Sequence, residues 1–440
     1  MEEIYQRFLE CGQKISTDTR NIQTGSVFFA LKGANFNGNL FAKKALDSGA
    51  SSVVVDEDVD LSGDKVIKVK DCLETLQMLA RHHRRKFSIP VIAVTGSNGK
   101  TTTKELLYHV LSQKFNTLAT LGNLNNHIGV PLTLLRLGRE HQVAVIEMGA
   151  NHCHEIEELC KIAEPDIGIV TNIGKAHLEG FGGVEGVIKA KSEMFEFLKI
   201  GKRLSFVNAD DELLMNRSAE NHRILFGTGE HVQLRGKKED IYPFLSFSFS
   251  WKKGNENLQS EKIQSHLSGD FHLSNLLCAS AIGCFMGLSV NEIKAGIESY
   301  KPTNQRSQWV SEGKAKIMLD TYNANPGSVS AAIKLMADLP TTGKKLIVLG
   351  DMFELGKDSQ DEHLAILKQI SELPDLSAMV LGEEFSKAYM QSKNKPKNIL
   401  HFTDRNVLFS AIKNTDKTNL SVLLKGSRGM KMEEFLAAFN

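Results

Sequence analysis

Short β-branched, apolar runs alternate with longer amphipathic stretches along this chain, and that alternation admits few folds. VIAVT (91–95), QVAVIE (142–147), IGIVT (167–171) and RLSFV (203–207) read as buried strands, as do KIMLD (316–320), KLIVLG (345–350), AMVLG (378–382) and SVLLKG (421–426). Strands buried on both faces need cover on both, and the helical patterns between these runs supply it, so parallel α/β layers follow. Nearer the start, SVFFAL (26–31) and SSVVV (51–55) read as strands, and DCLETLQMLARHHRRKF (71–87) as a helix running into a linker. LSFSFSW (245–251) alternates with period two and is expected as an antiparallel strand flanking the main sheet. A helix over 271–286 precedes SVNEIKAGIESY, where Ser289 can cap with Glu292 three residues on. KPTNQR (301–306) reads as a second linker. Three α/β domains result, over 1–88, 89–303 and 304–440. In open parallel sheets ligands bind at the carboxyl ends of strands, so the loops after these runs are where a site is expected.

The bulk composition narrows the function classes. Lys plus Arg number 53 against 52 for Asp plus Glu, a balance that provides no general field for nucleic acid or an anionic membrane. No run of about 18 apolar residues is present to span a bilayer. The N-terminus, MEEIYQRFLE, is acidic and lacks the layout of a signal peptide. Six scattered cysteines with no CxxC fit reduced thiols in a cytoplasmic protein. His152, Cys153, His154 and Cys160 lack a partner pair at zinc-finger spacing and are not read as a zinc site. The basic cluster from Arg81 to Lys86 reads as a solvated, dipole-favoured helix C-terminus ahead of a phosphate patch.

TGSNGKTTTK (95–104) carries the clearest chemistry. It follows a strand and opens a helix, as a phosphate loop does, yet Val94 stands where a full G-x-x-x-x-G-K-[ST] loop has its first glycine. Backbone amides from Gly96, Ser97, Asn98 and Gly99 through Lys100, Thr101 and Thr102 can cradle phosphate oxygens at the helix N-terminus. Lys100 then reaches the β/γ-phosphates and the Thr101 hydroxyl holds magnesium. Glu147 ends the apolar run VAVIE, the place of an acidic partner for that metal.

This shortened loop resembles that of the Mur ligases. GNLNNHIGVPLTLL (122–135), EMGANH (147–152), TNIGKAHLEGFGG (171–183), KAKSEMF (189–195), GDFHLSN (269–275), DTYNANPGS (320–328), LGDMFELG (349–356) and LLKGSRGM (423–430) follow in order, so the resemblance covers nearly the whole chain. It implies a small N-terminal UDP-binding α/β domain, a central P-loop-type ATPase domain with a mostly parallel sheet, and a C-terminal Rossmann-like α/β domain. It also implies an ATP-dependent amide ligase of peptidoglycan synthesis that works through an acyl phosphate. YNANP and LGDMFELG point within the family to UDP-N-acetylmuramoyl-tripeptide as the carboxylate and D-alanyl-D-alanine as the amine. A sibling that adds the third residue would carry D-N-P-R, which is absent. STDTR (16–20) with GSVFFALKGANFNG (25–38) resembles the uridine-nucleotide-binding domain of these ligases, which a folylpolyglutamate synthetase would lack. A P-loop switch protein, from a different class, would have the full loop spacing.

The resemblance assigns further residues. His177 becomes a ligand for a second magnesium ion, and Lys191 one when carbamylated. His272, Asn275 and Arg306 approach ATP, although Gln305 stands where the family has glycine. Asp320, Tyr322, Asn323 and Asn325 line the nucleotide cleft from the C-terminal domain, and Lys425, Ser427 and Arg428 suit a carboxylate such as that of the dipeptide. Asn123, Asn125 and Asn126 are candidates for the muramyl substrate; Thr17, Thr19 and Arg20 are candidates for its uridine diphosphate. GANFNGN departs there from the family's F-D-G-H. A monomer is expected.

Overall fold

The computed structural model describes residues 1–254, 256–303, 305–392 and 395–440. Asn304, within the expected second linker and at the expected start of the C-terminal domain, lies outside the described residues.

Among the described residues there are three large sheets and one two-stranded hairpin, and each large sheet collects the β-branched runs expected of it. The first is a four-stranded parallel sheet in the order Ile15–Ser16, Val27–Phe29, Ser52–Val55, Val66–Lys68. Helices Glu2–Glu10 and Cys72–Arg84 bury Phe8, Leu76 and Leu79 completely. The basic end of Cys72–Arg84 is neither a phosphate patch nor freely solvated. Arg81 and Arg85 pair with Glu164, and Arg84 is buried against Asp166 at 3.0 Å, which ties this domain to the next.

The central sheet has ten strands. Its parallel core runs Thr117–Ala119, Val143–Glu147, Val91–Thr95, Ile167–Val170, Leu204–Asn208, His222–Gly227, Leu234–Lys238. Beyond it Ser246–Lys253 joins antiparallel, as its period-two pattern predicts. The strand Ile167–Val170 lies inside this sheet, between Val91–Thr95 and Leu204–Asn208, so the loop leading to His177 leaves an interior strand. The helix after the phosphate loop begins within the loop motif itself, at Lys100, and runs to Leu111. It packs on Leu273–Phe285 and Val290–Ser299, burying Leu106, Leu107, Val110 and Leu111 completely, each contributing about 2 kcal/mol of apolar burial. Ser289 and Glu292 form the expected capping box.

The C-terminal sheet has six strands in the order Gln308–Glu312, Ala315–Asp320, Leu420–Lys425, Lys345–Gly350, Leu376–Leu381, Ile399–Phe402, antiparallel only at the first pair. Its strand ends at Asp320 and Lys425 face the phosphate loop across one cleft. Among the described residues no helix is long and apolar enough to cross a membrane.

Candidate active site

The phosphate loop is held by the end of the neighbouring strand. Gly96 has φ 139° and Gly99 φ 80°, conformations that favour glycine, and a Cβ on Gly96 would lie 2.0 Å from the Thr171 hydroxyl. Thr171 Oγ1 donates to the Asn98 carbonyl at 2.6 Å, the Asn98 amide donates to Asn172 Oδ1 at 3.0 Å, and the Ser97 amide to the Asn172 carbonyl at 2.9 Å. A loop lacking the first Walker glycine is thus fixed from the side by Thr171 and Asn172. Lys100 folds back, its Nζ donating to the carbonyls of Gly96 at 2.8 Å and Ser97 at 3.0 Å. It keeps some solvent contact, yet loss of hydration lowers its ammonium to about 8, with Glu147 opposing and Arg306 adding to the shift.

Behind the loop, Val94 pairs in register with Glu147. One Glu147 oxygen accepts from Thr101 Oγ1 at 3.1 Å and from Asn125 Nδ2 at 2.7 Å. The other is buried with no partner. A buried, unpartnered carboxylate oxygen beside a threonine hydroxyl is a fitting place for a divalent cation.

Lys191 is buried on the helix Val184–Ile200, 1% exposed. Its Nζ donates to the Ala150 carbonyl at 3.4 Å and lies 5.2 Å from the Phe181 ring centroid. Burial, with the Lys100 charge second, lowers its ammonium to about 7. His177 has φ 52° and precedes the short helix Leu178–Phe181. Its Nδ1 is in ion-pair contact with Glu354 of the C-terminal domain, a contact that holds the Glu354 carboxyl below its usual range. His272 is buried, which lowers its imidazole to about 4 and keeps it neutral. Its Nδ1 is 3.3 Å from Asn275 Nδ2, and Asn275 Oδ1 accepts from Thr103 Oγ1 at 3.2 Å.

From the opposite side, the Arg306 guanidinium stacks 3.6 Å from the Tyr322 ring centroid. Gln305 holds φ 59°, a left-handed conformation that glycine adopts freely, so the departure from glycine leaves Arg306 in place. Asn325 caps the helix Pro326–Asp338, its Oδ1 accepting from Ser328 N at 2.9 Å. Its Nδ2 reaches Asn98 Oδ1 at 2.7 Å.

One cleft of about 690 Å³ gathers most of the expected residues: Ser97 to Thr102, Asn123, Asn125, Asn126, Glu147, His177, His272, Asn275, Arg306, Asp320, Tyr322, Asn323, Asn325, Lys425 and Arg428. Gly96 and Lys191 stand outside its wall, as do Thr17, Thr19 and Arg20, which belong to the N-terminal domain, where Arg20 is bound to Asp18 at 2.6 Å. The expected carboxylate grip is corrected in part. Lys425 is neutralised by Asp320 at 2.6 Å and also donates to the Asn323 carbonyl, while Ser427 Oγ accepts from Phe353 N at 2.8 Å outside the cleft wall. Only Arg428 of the three keeps most of its surface free, with Gln305 Oε1 at 2.7 Å and Glu433 at 3.0 Å beside it. Asn126 is committed to the turn at Gly129, accepting from Ile128 N and Gly129 N. Thr171, Asn172 and Glu354 were not foreseen individually; all three follow parallel strands, which was the available signal.

A phosphate loop facing a second α/β domain across one cleft, with cations on both walls, suits the phosphates of a nucleotide held between two domains. Three family models match in succession: "Mur ligase family, catalytic domain" over 13–84, "Mur ligase middle domain" over 94–283, and "Mur ligase, glutamate ligase domain" over 305–428. UDP-N-acetylmuramoyl-tripeptide–D-alanyl-D-alanine ligases of Bacillus subtilis and Escherichia coli are each 34% identical over 96% of this chain and 92% and 93% of theirs. MurF from Acinetobacter baumannii superposes with TM-score 0.87 at 30% identity, covering 99% of this chain and 98% of that one. MurF ligase from Thermotoga maritima in complex with ADP gives 0.84 at 28%, covering 98% and 97%. The chain belongs to the Mur ligase family.

Proposed function

We propose that this chain joins D-alanyl-D-alanine to UDP-N-acetylmuramoyl-tripeptide, using ATP and releasing ADP and phosphate. The tripeptide carboxylate displaces ADP from the γ-phosphorus, giving an acyl phosphate. The dipeptide amine then attacks the acyl carbon, phosphate leaves, and the amine gives up a proton. The observation that carries this reading is the single cleft in which Lys100 and its loop meet Arg306, Tyr322 and Asn325 of another domain. Such a site neutralises crowded anions and, once closed, keeps water from the acyl phosphate.

Thr101 and the unpartnered oxygen of Glu147 fit one magnesium ion. His177 fits a second, joined by Lys191 once carbamylated, since an ammonium lowered to about 7 leaves free amine to take up carbon dioxide. Magnesium would supply charge neutralisation at the phosphates. We assign Gly96 to Thr102, His272, Asn275, Arg306, Asp320, Tyr322, Asn323 and Asn325 to ATP, with Asp320 acting as the partner of Lys425. We assign Asn123 to the muramyl substrate, Arg428 to the dipeptide carboxylate, and Thr17, Thr19 and Arg20 to the uridine diphosphate. Domain divisions near 88 and 303, a monomeric state and a cytoplasmic location complete the proposal.

The test is phosphate release with ATP, magnesium and UDP-muramoyl-tripeptide, adding D-alanyl-D-alanine or single amino acids in parallel. Release with the dipeptide alone, with a pentapeptide product, is expected. Release with a diamino acid on UDP-muramoyl-dipeptide would move the chain to the sibling reaction. Silence with every acceptor would end the ligase reading.

A further inference from the structure

The segment after the strand Lys345–Gly350 is seated on the central domain around His177. The Glu354 carboxylate is in ion-pair contact with His177 Nδ1, and the Glu354 carbonyl accepts from Glu179 N at 3.1 Å. Lys175 pairs with Glu362 alongside. Gly356, at φ 56°, lies so close that a Cβ there would be 3.3 Å from that of Glu179. Two backbone segments from different domains therefore meet at one histidine.

The two ring nitrogens of His177 have different surroundings. Nδ1 is buried, and the group in contact with it is the Glu354 carboxylate. Nε2 makes no hydrogen bond among the described residues, and His177 lines the cleft. A carboxylate at one imidazole nitrogen fixes the proton there and leaves the lone pair on the other. We propose that Glu354 is a positioning residue for His177, presenting Nε2 to the cleft only while the C-terminal domain is seated on the central one. This rests on the reading of His177 as a magnesium ligand. It couples that site to domain closure in both directions: seating the domain strengthens the cation site, and the cation favours seating.

The test is binding, not turnover. Manganese is titrated into the full chain with a non-hydrolysable ATP analogue and free manganese is followed by electron paramagnetic resonance. The variants are Glu354→Gln, Glu354→Ala, His177→Ala and the double Glu354→Ala/His177→Ala. His177→Ala should remove the weaker manganese site, and Glu354→Ala should weaken it about tenfold. Glu354→Gln, which keeps the shape and loses the charge, should show most of that loss. The metal-free melting temperature should stay near wild type, where a merely structural role would lower it. Glu354 variants that bind manganese like wild type, while His177→Ala loses a site, overturn the positioning role and leave His177 a ligand. A further loss on adding Glu354→Ala to His177→Ala also overturns it, because Glu354 would then act independently. If His177→Ala changes nothing, the ligand reading fails and the proposal falls with it.

Discussion

Asn325 and Asn98 exchange amide hydrogen bonds across the domain gap, Nδ2 of Asn325 to Oδ1 of Asn98 at 2.7 Å and the reverse at 3.4 Å. The same Asn325 side chain caps the helix Pro326–Asp338. One residue thus ties the start of a C-terminal helix to the phosphate loop. Asn98→Ala breaks the tie and spares the cap, so kcat should fall roughly tenfold, the loss of one charge-free closing contact, with an unchanged melting temperature. Asn325→Ala should lose about 1 kcal/mol of capping as well and melt lower. Phosphate release and thermal unfolding separate the two; wild-type turnover in Asn98→Ala would sink the idea.

The frame of this fold is legible in the sequence because its signals are local. VIAVT, VAVIE and KLIVLG announce buried strands by β-branching, and Gly96, Gly99 and Lys100 announce the phosphate loop by spacing. Glu147 is legible as the acid that ends an apolar run. Strand order is not local. Ile167–Val170 inserts beside Val91–Thr95, which sets the loop leading to His177 next to the phosphate loop and brings Asn172 within 3.0 Å of Asn98, 74 residues away. His222–Gly227 and Gln308–Glu312 escape notice because polar ends leave only ILF and WV as consecutive apolar residues. The pairing of Lys425 with Asp320 follows from two parallel strands aligned in register, 105 residues apart. No residue pattern reveals that alignment beforehand.

Lys191 should leave a pH signature on stability. Its folded-state value of about 7 lies below the usual lysine value of about 10.4. Between these, the unfolded chain holds a proton that the folded chain lacks, so raising pH favours the folded state. Burial of the charge costs most below about 7 and the cost fades as pH rises toward 10. Lys191→Met should therefore melt higher than wild type at pH 6 in carbonate-free buffer, and the gain should shrink by pH 9. A gain that is flat or grows with pH would refute this, whatever the variant does to catalysis.

The Asp320–Lys425 pair predicts an asymmetric result. Lys425 is 2% exposed and Asp320 19%, so removing the carboxylate strands a buried ammonium. Asp320→Ala should cost about 3 kcal/mol and lower the melting temperature by several degrees. Removing both in Asp320→Ala/Lys425→Met should recover part of that stability, because no charge is then left unpaired. Denaturant unfolding of the two variants decides it; a double variant less stable than Asp320→Ala would show that the pair matters for packing more than charge.

Glu147 should trade stability for function. One of its oxygens is used by Thr101 and Asn125, while the other is buried without a partner. An unpartnered buried carboxylate oxygen is costly by roughly 1–3 kcal/mol, and it persists where a ligand will use it. Glu147→Gln keeps the acceptor for Thr101 and Asn125 and replaces the stranded anion with a neutral amide. The nucleotide-free variant should therefore unfold at the same temperature as wild type or higher. Its turnover should fall by about a hundredfold or more, as expected when an anionic ligand for a phosphate-bound cation is lost. The two effects are read by calorimetry without nucleotide and by phosphate release with substrates. A variant that is both less stable and fully active would mean that the carboxylate serves the fold and not the cation.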